Sequence, residues 1–217
     1  MTTRRRTTCF ILSALLFSAC AFLADEAPQR VVRVKALADP ALRERNSRWE
    51  DELRGLVEAA SDYFEEEFGI RFVTQSTAAW PAQDRIPSTP DVLVRLKQDF
   101  PLKKNDGNYD LIIAFTAEAV SRHVRDGRPR VDRIGDCRQG LGSYVVTNVS
   151  TPFLYTGVNR EPTPDVIALI HELGHIFGAE HVDDTKSIMH EEFGYRTGFD
   201  DKNRSVILKN RKCPFAK

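Results

Sequence analysis

Residues 171–181 read His-Glu-Leu-Gly-His-Ile-Phe-Gly-Ala-Glu-His, which matches the pattern H-E-x-x-H-x-x-G-x-x-H. His171 and His175 are four residues apart, so on a helix they lie one above the other on one face. Two neutral imidazoles at that spacing can both reach one metal ion, and zinc binds histidine nitrogen at about 2.0–2.1 Å. The stretch therefore predicts a helix that carries a zinc site.

Glu172, Gly178 and His181 extend this site. Glu172 lies one position round the helix from His171, where it can lean over the open side of the metal as a general base. Gly178 can adopt a positive φ at low cost, so the helix can end there and the chain can bring His181 back to the metal. Three protein ligands leave the fourth zinc position for water, as in catalytic sites. The chain has only five histidines, which disfavours a chance match.

A methionine follows the third histidine in the stretch Ser187-Ile188-Met189-His190. The histidine motif and this methionine together resemble the metzincin family of zinc peptidases, whose signature is that motif followed by a methionine-containing turn. The resemblance implies that Met189 lies beneath the zinc as a hydrophobic floor for the three histidines. Some members have a tyrosine two residues after the methionine as an extra ligand. This chain departs from them, because Glu191 stands at that position.

The first half of the chain alternates between strand-like and helical patterns. Apolar residues recur at spacings of three and four over residues 41–68, which predicts a long helix that stops at Gly69. We also predict strands at 31–37, 70–74 and 109–115, and a helix at 91–100. This order predicts an α/β (α+β) fold with a twisted, mixed and mostly parallel sheet that carries long helices.

We expect one catalytic domain over residues 31–217, with an N-terminal lobe over 31–178 and a small C-terminal lobe over 179–217. Thr163 and Pro164 suit the first positions of the zinc helix, which would form the floor of the cleft. Asp200 is expected to cap a final helix.

Residues 140–147 are predicted to form a strand opened by glycines. The metzincin resemblance implies an edge strand before the zinc helix, running antiparallel to the bound substrate. Gly140, Leu141 and Gly142 are therefore the expected substrate strand, with backbone groups that could bind an extended peptide. The alternative is an ordinary sheet edge.

The first 19 residues are typical of a secretory signal peptide. Three arginines precede an apolar run from Cys9 to Phe22 that is too short for a comfortable transmembrane helix. One interpretation of Leu16-Phe17-Ser18-Ala19-Cys20 is a bacterial lipobox, with Cys20 lipidated and residues 20–30 serving as a tether. The other is cleavage at Ala19-Cys20-Ala21, which would give a soluble exported protein. We favour the lipoprotein, held in the bacterial periplasm or cell envelope.

Four cysteines occur, at positions 9, 20, 137 and 213. The signal region accounts for the first two, which leaves Cys137 and Cys213 as an even pair in an oxidising compartment. We therefore predict a disulfide between them. The alternatives are two free thiols, or a Cys137 thiolate that covers the zinc.

The composition and net charge of the chain limit the kinds of partner that it can bind. The net charge is zero over 217 residues, which argues against an electrostatic nucleic-acid binder. Residues 1–19 contain three basic residues and no acid, so the remaining 28 basic and 31 acidic residues give a net charge of −3. We expect a monomer that meets a membrane only through its lipid anchor.

These features predict a zinc-dependent endopeptidase with one catalytic Zn²⁺ and a protein or peptide substrate. His171, His175 and His181 would bind the metal, and Glu172 would take the proton from its water. Two alternatives remain: an exported zinc-binding domain without activity that binds a peptide or a surface, and a zinc hydrolase for a substrate such as a cell-wall peptide.

Overall fold

The computed structural model describes residues 28–81, 89–102, 108–117, 130–157, 162–191 and 198–216. The predicted signal peptide, Cys20 and most of the tether lie outside these ranges. The elements in chain order are β1 (Arg30–Ala38), α1 (Pro40–Arg45), α2 (Trp49–Phe68), β2 (Ile70–Ala79), α3 (Thr89–Asp99), β3 (Leu111–Thr116), β4 (Tyr144–Asn148), α4 (Pro164–Ile176) and α5 (Asp201–Asn210). No helix within the described part of the chain is both long and apolar enough to cross a bilayer.

The four strands form one sheet in the order β2–β1–β3–β4, and every neighbouring pair is parallel. The predicted α/β fold is confirmed. Antiparallel pairing within the described ranges is limited to isolated bridges, such as the one between Val131 and Val145 beside β4.

Both faces of the sheet are covered, which explains the continuous apolar sequence of β3. Leu111, Ile113 and Phe115 belong to the large core that includes α2 and α4. Ile112 and Ala114 point the other way, into a smaller core that α3 closes. Helix α4 contacts both α2 and β4, so the helix with the histidine motif is fixed between two elements of the main core.

The single helix predicted over 41–68 is wrong, because the segment forms α1 and α2 with a break between them. The side chain of Asn46 causes this break. Its Oδ1 accepts the N–H of Arg48 at 2.9 Å, and its Nδ2 donates to Glu52 at 2.8 Å. Asparagine side chains that bond to the local backbone compete with helix formation. Glu52 is only 2% exposed, so a buried side chain stabilises the break between the two helices.

The last part of the chain, after the histidine motif, is tied to the rest by contacts of α5 and by a covalent bond. Asp200 caps α5 by accepting the N–H of Asn203 at 3.0 Å. The amide of Asn203 then exchanges two hydrogen bonds with the backbone of Glu180, each 2.9 Å long. Cys137 and Cys213 are joined as a disulfide, with their Cα atoms 5.1 Å apart.

Candidate active site

The three histidines of the motif meet at one point. The Nε2 atoms of His171, His175 and His181 are separated by 3.1, 3.1 and 3.2 Å. The centre of such a triangle is about 1.8 Å from each corner, so a point at the zinc–nitrogen distance of about 2.0–2.1 Å from all three atoms exists just outside its plane. The cluster has these three members among the described histidines, cysteines and acids. The arrangement fits a metal ion with an open coordination position.

Helix α4 places two of these histidines, and a turn at Gly178 places the third. The Oγ1 of Thr163 caps the start of the helix by accepting the N–H of Val166 at 3.4 Å. Gly178 has φ of +98°, which favours glycine. A Cβ at this residue would also lie 2.5 Å from the carbonyl oxygen of Gly135 and 2.6 Å from the side chain of Asn210. Gly178 is therefore required both by its backbone conformation and by packing.

The second ring nitrogen of each histidine faces an oxygen. The Nδ1 atoms of His171 and His175 lie 2.7 Å from the carbonyl oxygens of Ile188 and Ala179. The Nδ1 of His181 lies 3.4 Å from the carboxylate of Glu191. When Nδ1 carries the proton and donates it to these oxygens, Nε2 presents its lone pair to a metal. Glu191 thus contacts the ring of a candidate metal ligand, a contact that the histidine motif alone does not indicate.

Burial keeps the His175 imidazole neutral. Its side chain is inaccessible to solvent, and this desolvation lowers the pKa to about 4. At pH 7 the ring therefore has no proton to lose before it binds a cation.

Burial acts in the opposite direction on Glu172. Desolvation raises the pKa of this carboxyl group to about 7, against the effect of the Arg130 N–H, which donates to its Oε2 at 2.8 Å. A general base works best when its pKa lies near the working pH. Arg130 is 42 residues away in the chain, so the motif alone could not identify it as the partner of Glu172.

Met189 lies against the metal helix. Its side chain is fully buried in the main core. A Cβ at Gly174 would lie 2.9 Å from the Met189 sulfur and 2.8 Å from the ring of Phe199. The helix can therefore rest on these two side chains only because position 174 has no side chain. Gly174 occupies an unspecified position of the motif, so the pattern gave no sign of its role.

We expect Gly174→Ala to destabilise the protein and weaken metal binding. Alanine gains about 1 kcal/mol in helix propensity, but overpacking of a buried site costs about 1–3 kcal/mol. Overpacking should prevail, because the added Cβ would displace Met189 and Phe199. Thermal unfolding and metal titration measure both effects. The matched control is Gly198→Ala, whose Cβ would meet only the Tyr63 hydroxyl, at 3.7 Å. Equal effects of the two substitutions would contradict this account.

In the metal-free protein, His175 and Glu172 should change stability with pH in opposite directions. The folded pKa of His175, about 4, is below its ordinary value of 6.5. Its contribution to the free energy of unfolding is therefore complete above pH 6.5 and is lost as pH falls towards 4. The folded pKa of Glu172, about 7, is above its ordinary value of 4.5. Its contribution to the free energy of unfolding is therefore complete below pH 4.5 and is lost as pH rises through 7. Each effect is about 3 kcal/mol, so the two nearly cancel.

The substitution Glu172→Gln removes one of these opposing effects. Between pH 4 and pH 6.5, the stability of the metal-free variant relative to wild type should rise by about 2–3 kcal/mol. Urea denaturation of both proteins in the presence of a chelator measures this difference. A constant difference across that range would show that Glu172 ionises normally in the fold.

The predicted substrate strand at Gly140, Leu141 and Gly142 is wrong. The N–H of Leu141 donates to the carbonyl of Pro214 at 2.8 Å, and its carbonyl accepts the N–H of Ala216 at 2.9 Å. Leu141 is fully buried, so its backbone is closed to a peptide. Strand β4 begins only at Tyr144. Nothing near residue 141 in sequence indicates a partner more than 70 residues further along.

A different segment, residues 130–132, forms the backbone edge beside Glu172. Arg130 and Asp132 each make one backbone hydrogen bond to β4, of 2.9 and 3.1 Å. Val131 lies between them and opposes Val145 in an antiparallel bridge. In such a pair, the N–H and C=O of Val131 point away from β4. This edge continues to Glu172 through the N–H of Arg130.

A parallel sheet, a helix that carries two of three converging histidines, a glycine turn that brings in the third, and a buried methionine together define a metzincin-like metallopeptidase. Residues 28–215 match the family described as Metallo-peptidase family M12 (Reprolysin_5), and the chain belongs to that family.

Two solved structures share the fold. Archaemetzincin from Methanopyrus kandleri has a TM-score of 0.50 and 18% identity, covering 83% of this chain and 96% of that one. A chain in a structure of a chaperone–substrate complex has a TM-score of 0.52 and 12% identity, covering 83% of this chain and 33% of that one. At these identities the likeness concerns the fold alone.

Proposed function

We propose that the protein is a zinc-dependent endopeptidase. The observation that carries this proposal is the triangle of three Nε2 atoms, separated by 3.1–3.2 Å, with the buried carboxyl of Glu172 on the helix that carries His171 and His175. Three neutral histidine nitrogens that leave one coordination position of the metal open are typical of a catalytic zinc site. Bound zinc would supply a Lewis acid for the scissile carbonyl and a water of lowered pKa.

Glu172 performs the proton transfers. Its carboxylate takes a proton from the attacking water and later gives it to the amine nitrogen of the leaving product. The N–H of Arg130 fixes Oε2, so the carboxylate is oriented before substrate binds. In the metal-free protein, burial raises the pKa of Glu172 to about 7, so this carboxyl group can both accept and release a proton near neutral pH.

An extended peptide substrate would bind along residues 130–132. The N–H and C=O of Val131 can add a peptide strand to the edge of the sheet. Binding through main-chain groups recognises an internal stretch of peptide without contact to either terminus, which favours endopeptidase over exopeptidase action.

The test combines metal analysis with cleavage of a peptide library read by mass spectrometry. We expect about one zinc per chain, cleavage at internal bonds, loss of activity on chelation, and recovery with one equivalent of zinc. Release of single terminal residues would contradict the endopeptidase assignment. A zinc-loaded protein that cleaves no peptide would overturn the proposal in favour of a silent binding domain.

We also propose that the protein is exported. The disulfide between Cys137 and Cys213 supports this, because such bonds persist in oxidising compartments. Cell fractionation with Cys20→Ser would distinguish the two N-terminal interpretations. A lipoprotein should shift from the membrane to the soluble fraction, whereas a protein cleaved at the alternative site should not move.

A further inference from the structure

A second cavity, separate from the histidine cluster, lies where α2, the start of α4 and residues 152–157 meet. Its volume is about 480 Å³. Its walls include Asp62, Tyr63, Glu66, Phe153, Tyr155 and Val166. The catalytic mechanism uses none of these residues, so the cavity requires a separate account.

The lining is acidic. Asp62 and Glu66 contribute carboxylates, and within the described ranges no lysine, arginine or histidine lines the cavity. Asp62 accepts the hydroxyl of Tyr155 at 2.5 Å and lies 3.2 Å from Arg71. That guanidinium is shared with the carboxylates of Glu58 and Glu65, so one positive charge faces three negative ones. The cavity therefore has a negative potential and favours a cation.

Three aromatic rings, those of Tyr63, Phe153 and Tyr155, give the cavity walls that suit an organic cation. Aromatic faces attract guanidinium and ammonium groups and also pack against the alkyl stem behind them. A small inorganic cation would gain nothing from these walls. Rings and carboxylates together match the end of an arginine or lysine side chain.

The wall formed by residues 152–157 is held in place by contacts to α2. The N–H of Phe153 donates to the buried carboxylate of Glu52 at 2.8 Å. Gly55 allows a close approach, since a Cβ there would lie 2.9 Å from the Cβ of Tyr155. The cavity is therefore preformed, which lowers the entropic cost of binding. Leu154, 70% exposed, also lines it.

The cavity also adjoins the catalytic helix. Val166 lines the cavity and precedes His171 by five residues on α4, a rise of about 7.5 Å along the helix axis. The two residues also lie about 140° apart around the helix, so an extended peptide, which spans about 3.3 Å per residue, needs more than the two or three residues that the rise alone would require. We propose that this cavity binds an arginine or lysine side chain of the peptide substrate, outside the cleft where the bond is cut. This inference rests on the proposed endopeptidase function.

Binding is tested first without catalysis. The probe is acetyl-arginine amide, with acetyl-citrulline amide as its neutral analogue, titrated by NMR into zinc-loaded protein carrying Glu172→Gln. We expect the arginine probe to shift the tyrosine signals of the cavity and the citrulline probe to bind at least tenfold more weakly. Adding Asp62→Asn and Glu66→Gln should weaken arginine binding about tenfold. Arg71 keeps two carboxylate partners in that variant, so the fold should be retained.

Cleavage is tested second, on matched library peptides that carry arginine or citrulline at one position. We expect a higher kcat/KM for the arginine peptides, and loss of that preference in Asp62→Asn/Glu66→Gln. Equal binding of the two probes would overturn the site. Arginine binding without any cleavage preference would overturn its role in substrate recognition. Absence of cleavage in wild type would instead reject the endopeptidase proposal, and the binding result would still show whether the cavity takes a cation.

Discussion

Glu172→Gln is expected to lower kcat/KM by about 10²–10⁴-fold while the protein keeps its metal. Glutamine has nearly the same shape and can still accept the N–H of Arg130. It cannot take a proton from water at neutral pH. The three imidazoles form the metal-binding cluster without Glu172, so zinc content should stay at about one per chain. Steady-state kinetics and metal analysis on the same preparation measure both quantities.

The matched control is Glu180→Gln, the same substitution within the same motif. The Glu180 side chain is 61% exposed and lies 3.5 Å from Lys202 at the surface. This variant should keep wild-type kinetics. If Glu172→Gln also retained activity, proton transfer would have to come from another group. If it lost zinc together with activity, Glu172 would be supporting the metal site and its role as base would be undemonstrated.

The metal site was largely predictable because its information is local. The spacing of His171, His175 and His181 within 11 residues specifies a helix, a turn and three converging nitrogens. The partners that adjust the site are distant or occupy variable positions. Arg130 reaches Glu172 from 42 residues away, and Gly174 is recognised only once Met189 and Phe199 are packed against it. Pattern spacing cannot report contacts that tertiary structure creates.

The same difference between local patterns and distant contacts explains which parts of the fold could be predicted from the sequence. Strand and helix order follows from hydrophobic periodicity, and it led to the correct α/β architecture. The failures came where a local pattern met a non-local contact. The helix over 41–68 breaks where Asn46 bonds to Glu52, and the buried carboxylate of Glu52 also accepts the N–H of Phe153, 101 residues further along the chain. The segment around Leu141 looks like a free edge, but residues 214–216 occupy it.

The other large effect is expected from Cys137→Ser/Cys213→Ser. The disulfide closes a sequence separation of 76 residues. Chain-entropy arguments assign a loop of that size about 4 kcal/mol of stabilisation. For a domain of this length, a loss of that size lowers Tm by roughly 8–16 °C. Calorimetry of the variant against wild type, both at neutral pH, measures the change.

The disulfide should also affect metal binding, because it joins two segments that complete the C-terminal end of α4. The N–H of Gly135, two residues before Cys137, donates to the carbonyl of His175 at 2.9 Å. The amide of Asn210, three residues before Cys213, donates to the carbonyl of Phe177 at 2.9 Å. The carbonyl of His175 also accepts the N–H of Gly178 at 3.0 Å, so these donors add to the local hydrogen bonds that set where the chain turns towards His181.

We therefore expect the double-serine variant to bind zinc more weakly than wild type at a temperature where both are folded. Competition with a chromogenic chelator at 20 °C measures the affinity. A reducing agent should weaken zinc binding by wild type and leave the variant unchanged, which separates loss of the bond from effects of the serines. If Tm fell while zinc affinity stayed constant, the hydrogen bonds of Gly135 and Asn210 would suffice to hold the turn. The disulfide would then stabilise the fold only by restricting the unfolded chain.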